Sequence, residues 1–458
     1  MIEKIIEYSV RNRFQILAAA AVVAVWGVYG VYHTPVDAIP DLSENQVIVF
    51  TDWMGHSPQE IEDQVTYPLS SQLQGLAGVK AVRSSSEFNF SMINVIFDEK
   101  AGYYFARQRV LERLDNLKGV LPAGVVPYLA PDATATGQIF WYTVEGDGYD
   151  LSELRSIQDW FIRYQLSGVP GVAEVASIGG FPREYQIDID PDRLRAYGVT
   201  LGQVESAVAK SNQSVGGRVV DKGNAEYIIR SVGWIKSIKD IEDTAVTQRD
   251  GVPIFIKNVA HVQLGTAFRR GVLEKDGQQA VGGVVLMRFG ENPRAVTERI
   301  KAKIDKLQSG LPAGVRIVPF YDRTPLIDGA IHTVTGVLKE AMLTATIMIL
   351  LILGHIGGAI VICLTLPLSV LFSFILMHQI GVPSNIMSLS GLAISIGVLV
   401  DSSIVMVENA SHRLAHKFGD ARVKGDTREE ILAACKTVGR PIFFSILIML
   451  LSFIPVFA

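Results

Sequence analysis

Four stretches of the chain almost lack charge, and this pattern constrains the fold more than any motif does. They run from Phe14 to Tyr32, Ala341 to Met377, Ile386 to Val407 and Pro441 to Ala458. About 20 apolar residues in a row is the length at which an α-helix crosses a hydrocarbon core ~30 Å thick while satisfying its own backbone. The second stretch holds 37 residues with His355 as its one ionisable group, too long for a single crossing. It is expected to fold as a helical hairpin turning at Gly354-His355-Ile356-Gly357-Gly358, which brings the total to five spans. The first stretch is longer than a leader's apolar core and lacks a small-x-small site, so it reads as a span that stays in place. Ahead of it, Ile2, Ile5, Ile6 and Val10 alternate with Glu3, Lys4 and Glu7 as in an amphipathic helix lying in the interface.

Basic residues fix the orientation. Arg413, Lys417, Arg422, Lys424, Arg428, Lys436 and Arg440 crowd one inter-span segment, and Lys4, Arg11 and Arg13 precede the first span. The positive-inside rule puts both in the cytoplasm. Threading five spans then sends the roughly 300 residues between the first and second spans to the opposite side. The last apolar run ends at Ala458 with no loop after it, so the chain reads as part of a longer one. A net charge of −4 is too small to suggest a nucleic-acid partner. Cys363 and Cys435 have neither disulfide nor metal spacing. His412 and His416 stand at i, i+4 without a third ligand nearby.

The soluble part is expected to be repetitive. Capping boxes at Ser57-Pro58-Gln59-Glu60 and Thr200-Leu201-Gly202-Gln203 start helices, as do Asp150 to Glu153 and Asn292-Pro293. Strands are predicted over Gln46–Trp53, Val79–Ser85, Ser91–Phe97, Gln138–Glu145, Arg183–Asp190, Ala280–Phe289 and Val315–Phe320. Strand, helix, strand, strand, helix, strand is the ferredoxin-like (βαββαβ) order. Two echoes suggest that it occurs twice: Leu73 to Val82 returns as Leu166 to Val175, and Leu121-Pro122-Ala123-Gly124-Val125 returns at Leu311 to Val315. Generic helix-to-strand turns would give one such echo more readily than two in matching order. The second unit is interrupted by Asp190 to Ala267, with its own helix and a glycine-containing hairpin around Ser214-Val215-Gly216-Gly217, the kind of insertion that forms partner surfaces.

The fold expected is an α+β membrane protein, a helical bundle carrying two ferredoxin-like units and an insert. Its parts are an interfacial helix over 1–13, a span over 14–33, a first unit over 34–135, a second over 136–189 and 268–333, an insert over 190–267, and four more spans within 334–458.

Asp401 is the chemical centre of this reading. It lies about 22 Å along the helix that starts at Ile386, deep in a span, where a carboxylate costs roughly 3 kcal/mol unless a proton or a partner neutralises it. A proton pathway is one reading; a structural acid pairing two helices is the other. Gly391, Ala393, Ser395 and Gly397 form small-xxx-small pairs that would let a neighbouring helix approach and turn Asp401 toward protein. Glu408 sits two turns further on roughly the same face, as a second relay station or as a boundary acid reaching for water. A proton carrier needs a discharging partner, and the other four spans offer none, since Lys339 and Glu340 stand at the mouth of the second.

Several longer motifs now bear on identity. Pro40-Asp41-Leu42-Ser43, Gln64-Val65-Thr66-Tyr67-Pro68-Leu69, Pro131-Asp132-Ala133-Thr134, Leu154-Arg155-Ser156-Ile157-Gln158-Asp159-Trp160, Asn385-Ile386-Met387-Ser388-Leu389, Val400-Asp401 and Val407-Glu408-Asn409 resemble the heavy-metal branch of the resistance-nodulation-division (RND) permeases, over essentially the whole chain. The resemblance implies the N-terminal half of a bacterial inner-membrane protein, a proton/cation antiporter and not an enzyme, with no cofactor beyond the ion it moves. It also implies a homotrimer with twelve spans per subunit, completed by a periplasmic adaptor protein and an outer-membrane channel. The two units would be porter units, residues 190–267 the docking insert, and Asp401 the proton-relay acid.

Ser395 stands where the divalent-cation branch has a second acid, which favours the copper/silver type and Cu(I) or Ag(I) as cargo. Met387 and Met406 fall where that type places membrane-path methionines, whose soft thioethers suit such ions, while a third such position is Leu399 here. Competing readings are an exporter of divalent metals or of hydrophobic drugs, a protein-export accessory factor, and a membrane-anchored enzyme. The last needs a catalytic constellation that the sequence does not supply, and no G-x-x-x-x-G-K-[ST] phosphate loop points to ATP.

Overall fold

The computed structural model describes residues 1–117, 119–269, 271–353, 356–419 and 425–457. The turn expected at Gly354 and His355, and the basic residues Arg422 and Lys424, lie outside the described residues.

Helices α1 (Ile2–Arg11) and α2 (Arg13–His33) lead into the first soluble unit. There β1 (Gln46–Asp52) is followed by a helix in two stretches, α3 (Pro58–Ile61) and α4 (Tyr67–Leu73), joined by a single π turn over Glu62–Thr66. Then come β2 (Val79–Glu87), β3 (Phe90–Phe97), α5 (Tyr103–Asp115) and the short β4 (Tyr128–Leu129). The strand order is β2-β3-β1-β4, each neighbour antiparallel. Alternation sets the buried face: Val47 and Val49 on β1 and Ile93 and Val95 on β3 point inward, and Val65, Leu69, Leu73, Ala106 and Val110 close over them from the helices. Ser57 caps α3 through the capping box read from the sequence.

The second unit repeats this path. It holds β5 (Gln138–Gly146), α6 (Leu151–Ile157), a π turn over Gln158–Ile162, α7 (Arg163–Ser167) and β6 (Val172–Gly179). The echoed segments make the same turns in both units. Gly78 and Gly171 take φ of 81° and 90°, and Gly124 and Gly314 take 84° and 83°, a region where a side chain is strained. The N–H groups of Val79 and Val172 donate back to Leu76 and Val169, and those of Val125 and Val315 to Pro122 and Pro312.

β7 (Arg183–Ile189) leads into the insert, which holds α8 (Pro191–Tyr197), α9 (Leu201–Ser211), β8 (Ser214–Lys222) and β9 (Ala225–Val232). It continues through α10 (Ile238–Glu242), β10 (Ala245–Arg249), β11 (Val252–Phe255), α11 (Ile256–Val259) and β12 (Ala260–Thr266). Strand β7 does not enter the sheet of the second unit but pairs with β12 along its whole length, so a two-stranded ribbon carries the insert. Val199, Val204, Ile254 and Val259 give it a small core of its own. The glycine-containing hairpin expected around residues 214–217 is placed differently: Gly216 and Gly217 lie within β8, where the register slips, and the chain reverses after Lys222. Every residue of β8 is exposed.

The second unit then closes with β13 (Leu273–Lys275), β14 (Gln278–Met287), α12 (Pro293–Gln308) and β15 (Val315–Asp322). β14 lies between β6 and β5, and β15 flanks β5, which is the same order as in the first unit.

Four long helices follow: α13 (Thr324–Leu353), α14 (Ile356–Ile380), α15 (Ile386–Phe418) and α16 (Arg428–Phe457). Among the described residues, α2, α14, α15 and α16 are long and apolar enough to cross a membrane, which is four helices where five were expected. The fifth expected span falls on α13, whose uncharged part runs from Ala341 up to the segment that lies outside the described residues.

Packing fixes the bundle's polarity. Glu7 of α1 pairs with Lys436 of α16 at 2.8 Å, and Arg413 and Lys417 at the end of α15 share Glu430, so the two basic segments sit together at one end. At the opposite end the linker after α2 pairs with the turn before α15, Val36 bridging Ser384, and the soluble units lie beyond it. Seam residues Gly27 and Gly30 bring α2 against Leu371 and Phe374 of α14.

Candidate functional site

Helix α15 is capped at its start and is long and apolar enough to cross a membrane. Asn385 caps it, its side-chain oxygen accepting from the N–H groups of Met387 and Ser388 at 3.0 Å, while Ser388 Oγ accepts from Asn385 N–H at 2.9 Å. The helix is 33 residues and ends at Gly419. At 1.5 Å per residue it is about 50 Å long, so its basic end extends well beyond a ~30 Å core. Asn409 Nδ2 donates to the carbonyl of Ala434 at 2.8 Å and ties that end to α16.

The two faces of α15 differ. Leu389, Leu392, Ala393, Ile396, Leu399 and Val400 pack with Val334 and Met342 of α13 and Leu366, Val370 and Phe374 of α14. One turn further on, Val400, Ile404 and Val407 meet Ala345, Ala359 and Ile362. The other face carries Met387, Ser390, Gly391, Ile394, Gly397, Asp401, Val405 and Glu408, all exposed. Gly391 and Gly397 have open space where a Cβ would stand, so the close approach expected of the small residues is not made among the described residues. Ser395 and Ser402 use their hydroxyls on carbonyls one turn back in their own helix, Gly391 and Val398.

Asp401 therefore stands on the open face, with no hydrogen bond or ion pair among the described residues. Glu408 shares that face two turns along, also without a partner among the described residues. Met387 lies on it near the soluble end, 62% exposed. Met406 does not: at 100° per residue it is turned about 140° from Asp401, and about 28 Å of helix separates it from Met387, too far for both to hold one ion. An acid on an uncovered face in the middle of an apolar helix can hold or release a proton, or accept a cation, once a second surface covers it.

A second concavity lies between the sheets of the two soluble units, a cleft of about 560 Å³ lined by Phe50, Tyr103, Trp141, Glu44, Arg107 and Glu174. The sequence reading missed it, because no local pattern reports that two repeats face each other.

Fold and site together define a membrane protein with a twofold-repeated soluble unit between its first two long helices. The chain belongs to the AcrB/AcrD/AcrF family of RND permeases, whose family model matches residues 5–458. It is 45% identical to the cation efflux system protein CusA of Escherichia coli over all of this chain and 44% of that protein. It is 44% identical to the cation efflux system protein SilA of Salmonella typhimurium, described as putative in that function, over the same shares. The cobalt-zinc-cadmium resistance protein CzcA of Cupriavidus metallidurans is 37% identical, also over the whole chain and 44% of that protein. An X-ray crystal structure of a heavy metal efflux pump superposes with a TM-score of 0.86 at 33% identity, covering 99% of this chain and 44% of that one. The chain thus spans less than half the length of the relatives it matches.

Proposed function

We propose that this chain is the first half of a proton-driven heavy-metal exporter of the bacterial inner membrane, with Cu(I) or Ag(I) as its cargo. The observation that carries the reading is Asp401, without a partner among the described residues, on the uncovered face of α15 at mid-span. In hydrocarbon such a group is tolerable when its ionisation changes reversibly against a partner, and the open face, with glycines at 391 and 397, is shaped to receive further helices at close range. Glu408 extends the proton path toward the basic, cytoplasmic end. α13 completes five spans in this half. The two repeated units, in ferredoxin-like order, act as periplasmic porter units, and the ribbon-borne insert docks a periplasmic adaptor and an outer-membrane channel.

A homotrimer is supported by the β8–β9 hairpin. Two strands with both faces in water are marginal alone, yet Val219, Tyr227, Ile228 and Ile229 are among the exposed side chains here. A neighbouring subunit would cover them.

Similarity supports the choice of cargo. Relatives named for cobalt, zinc and cadmium or for nickel and cobalt are 37% and 34% identical, against 45% and 44% for the two cation efflux proteins. Ser395 lacks the second carboxylate a divalent path would use. Met387 and Met406 act as separate stations.

The test is a resistance panel with silver, copper, zinc, cobalt and cadmium on the full-length gene, with and without Asp401→Asn. Silver and copper protection, abolished by Asp401→Asn at unchanged expression, is expected. Zinc or cobalt protection without silver protection overturns the cargo, and resistance retained by the variant overturns the relay.

A further inference from the structure

Asp37 and Arg323 are 286 positions apart in sequence and form a buried ion pair where the membrane helices meet the second soluble unit. One terminal nitrogen of Arg323 lies 3.0 Å from both carboxylate oxygens, and the two side chains are 7% and 17% exposed. The other terminal nitrogen donates to the carbonyl of Thr136, just before β5, and the Arg323 backbone N–H donates to Ile139 within β5 at 3.1 Å. Arg323 also sits between the end of β15 and the start of α13. A single guanidinium therefore holds the linker after α2 to the base of the second unit.

Asp37 completes the connection on the membrane side. Its backbone N–H donates to Ser384 at 3.0 Å, Ser384 donates to Pro35 at 2.8 Å, and Ile386 donates to Ala38 at 3.3 Å. Thr34, Ala38, Ser384 and Asn385 are all buried. Asn385 is the cap of α15, so a continuous run of hydrogen bonds leads from the outer end of the Asp401 helix through Pro35–Ala38 and the ion pair into β5.

We infer that the Asp37–Arg323 pair is the clasp that transmits displacement of α15 to the second porter unit, an inference that rests on the transport reading for its purpose but on these contacts for its existence. Arginine suits this place because its planar fork serves a carboxylate and a carbonyl at once. A lysine would keep the charge balance as a point charge but lacks the two separate terminal nitrogens that reach Asp37 and Thr136, so Arg323→Lys separates clasping from neutralisation. Deleting one charge outright would leave its partner buried and unpaired, which destabilises strongly for reasons unrelated to coupling.

The experiment uses the full-length protein in lipid nanodiscs, with Cys363 and Cys435 replaced by serine and spin labels on Val382→Cys, at the outer end of the bundle, and Lys306→Cys, on α12 of the second unit. Pulsed dipolar spectroscopy reads the distance distribution between them, and thermal unfolding is followed in parallel. With Arg323 present the distribution is expected to be narrow; with Arg323→Lys it is expected to broaden while the unfolding midpoint stays close to wild type. The paired change Asp37→Asn with Arg323→Gln, which buries no unmatched charge, keeps the test decisive should the lysine variant fail to fold, and the same broadening is expected. A distribution as narrow as wild type in the variant that folds overturns the clasp. That readout needs no metal transport, so loss of the transport reading would show in the resistance panel and not here.

Discussion

Gly27→Ala and Gly30→Ala should differ sharply although they lie one turn apart on α2. A Cβ at position 27 would stand 2.4 Å from Leu371 Cβ and 2.8 Å from the Leu371 carbonyl oxygen, atoms held by the α14 backbone that cannot swing aside. At position 30 the nearest atom is the Phe374 carbonyl oxygen at 3.1 Å, which a shift of a few tenths of an ångström relieves. Overpacking a tight seam costs about 1–3 kcal/mol, and the first substitution belongs at the top of that range and the second at its foot. Both gain roughly 0.5–1 kcal/mol from replacing a helical glycine with alanine. The net expectation is a loss of about 2 kcal/mol for Gly27→Ala and a change near zero for Gly30→Ala. Unfolding in mixed micelles with rising denaturing detergent, followed by circular dichroism, measures both. Equal midpoints, or a larger loss for Gly30→Ala, would refute the packing argument.

Other consequences follow from the soluble units. Tyr142→Phe should cost about 1–3 kcal/mol, because the Tyr142 hydroxyl donates to Gln158 Oε1 at 3.0 Å and Gln158 is fully buried, so its oxygen would be left unpaired; chemical denaturation of the variant checks this, and an unchanged midpoint contradicts it. Glu145 is held below the ordinary carboxylate range, first by its hydrogen bond from Lys275, which outweighs the opposing effect of burial, and further by Thr143 and Arg316. A lowered folded-state value means stability that is present above the unfolded value near 4.5 and lost as pH falls through the folded one. Glu145→Gln should therefore destabilise by up to about 1 kcal/mol at neutral pH, discounted for the partly exposed site, and cost less as the medium is acidified; an equal cost at both extremes contradicts the assignment.

Much of this architecture could be read in advance because it is written locally. Capping boxes at Ser57, Asp150 and Thr200 name their helix starts, and the repeated Leu-x-Gly and Leu-Pro-Ala-Gly-Val segments encode turns that need a positive φ at a fixed place. What was not legible depends on distant partners. The small residues of α15 suggested a close-packed seam, but only the face bearing Ala393 is packed here, and the tight glycine contact lies on α2 instead. β6 showed itself only as an echo of β2, and Asp37–Arg323 had no local signature at all. At the candidate site, sequence spacing put Asp401 and Glu408 on roughly one face, while which face of α15 is covered by α13 and α14 and which is left open needed the packed structure.

The central claim is that Asp401 changes its protonation during turnover. Infrared difference spectroscopy of the full-length protein in lipid vesicles, comparing wild type with Asp401→Asn across the pH range in which metal is exported, tests it most directly. The account predicts a protonated-carboxyl band that belongs to Asp401 and titrates within that range. A carboxyl locked in one charge state at every pH where the pump works would contradict it.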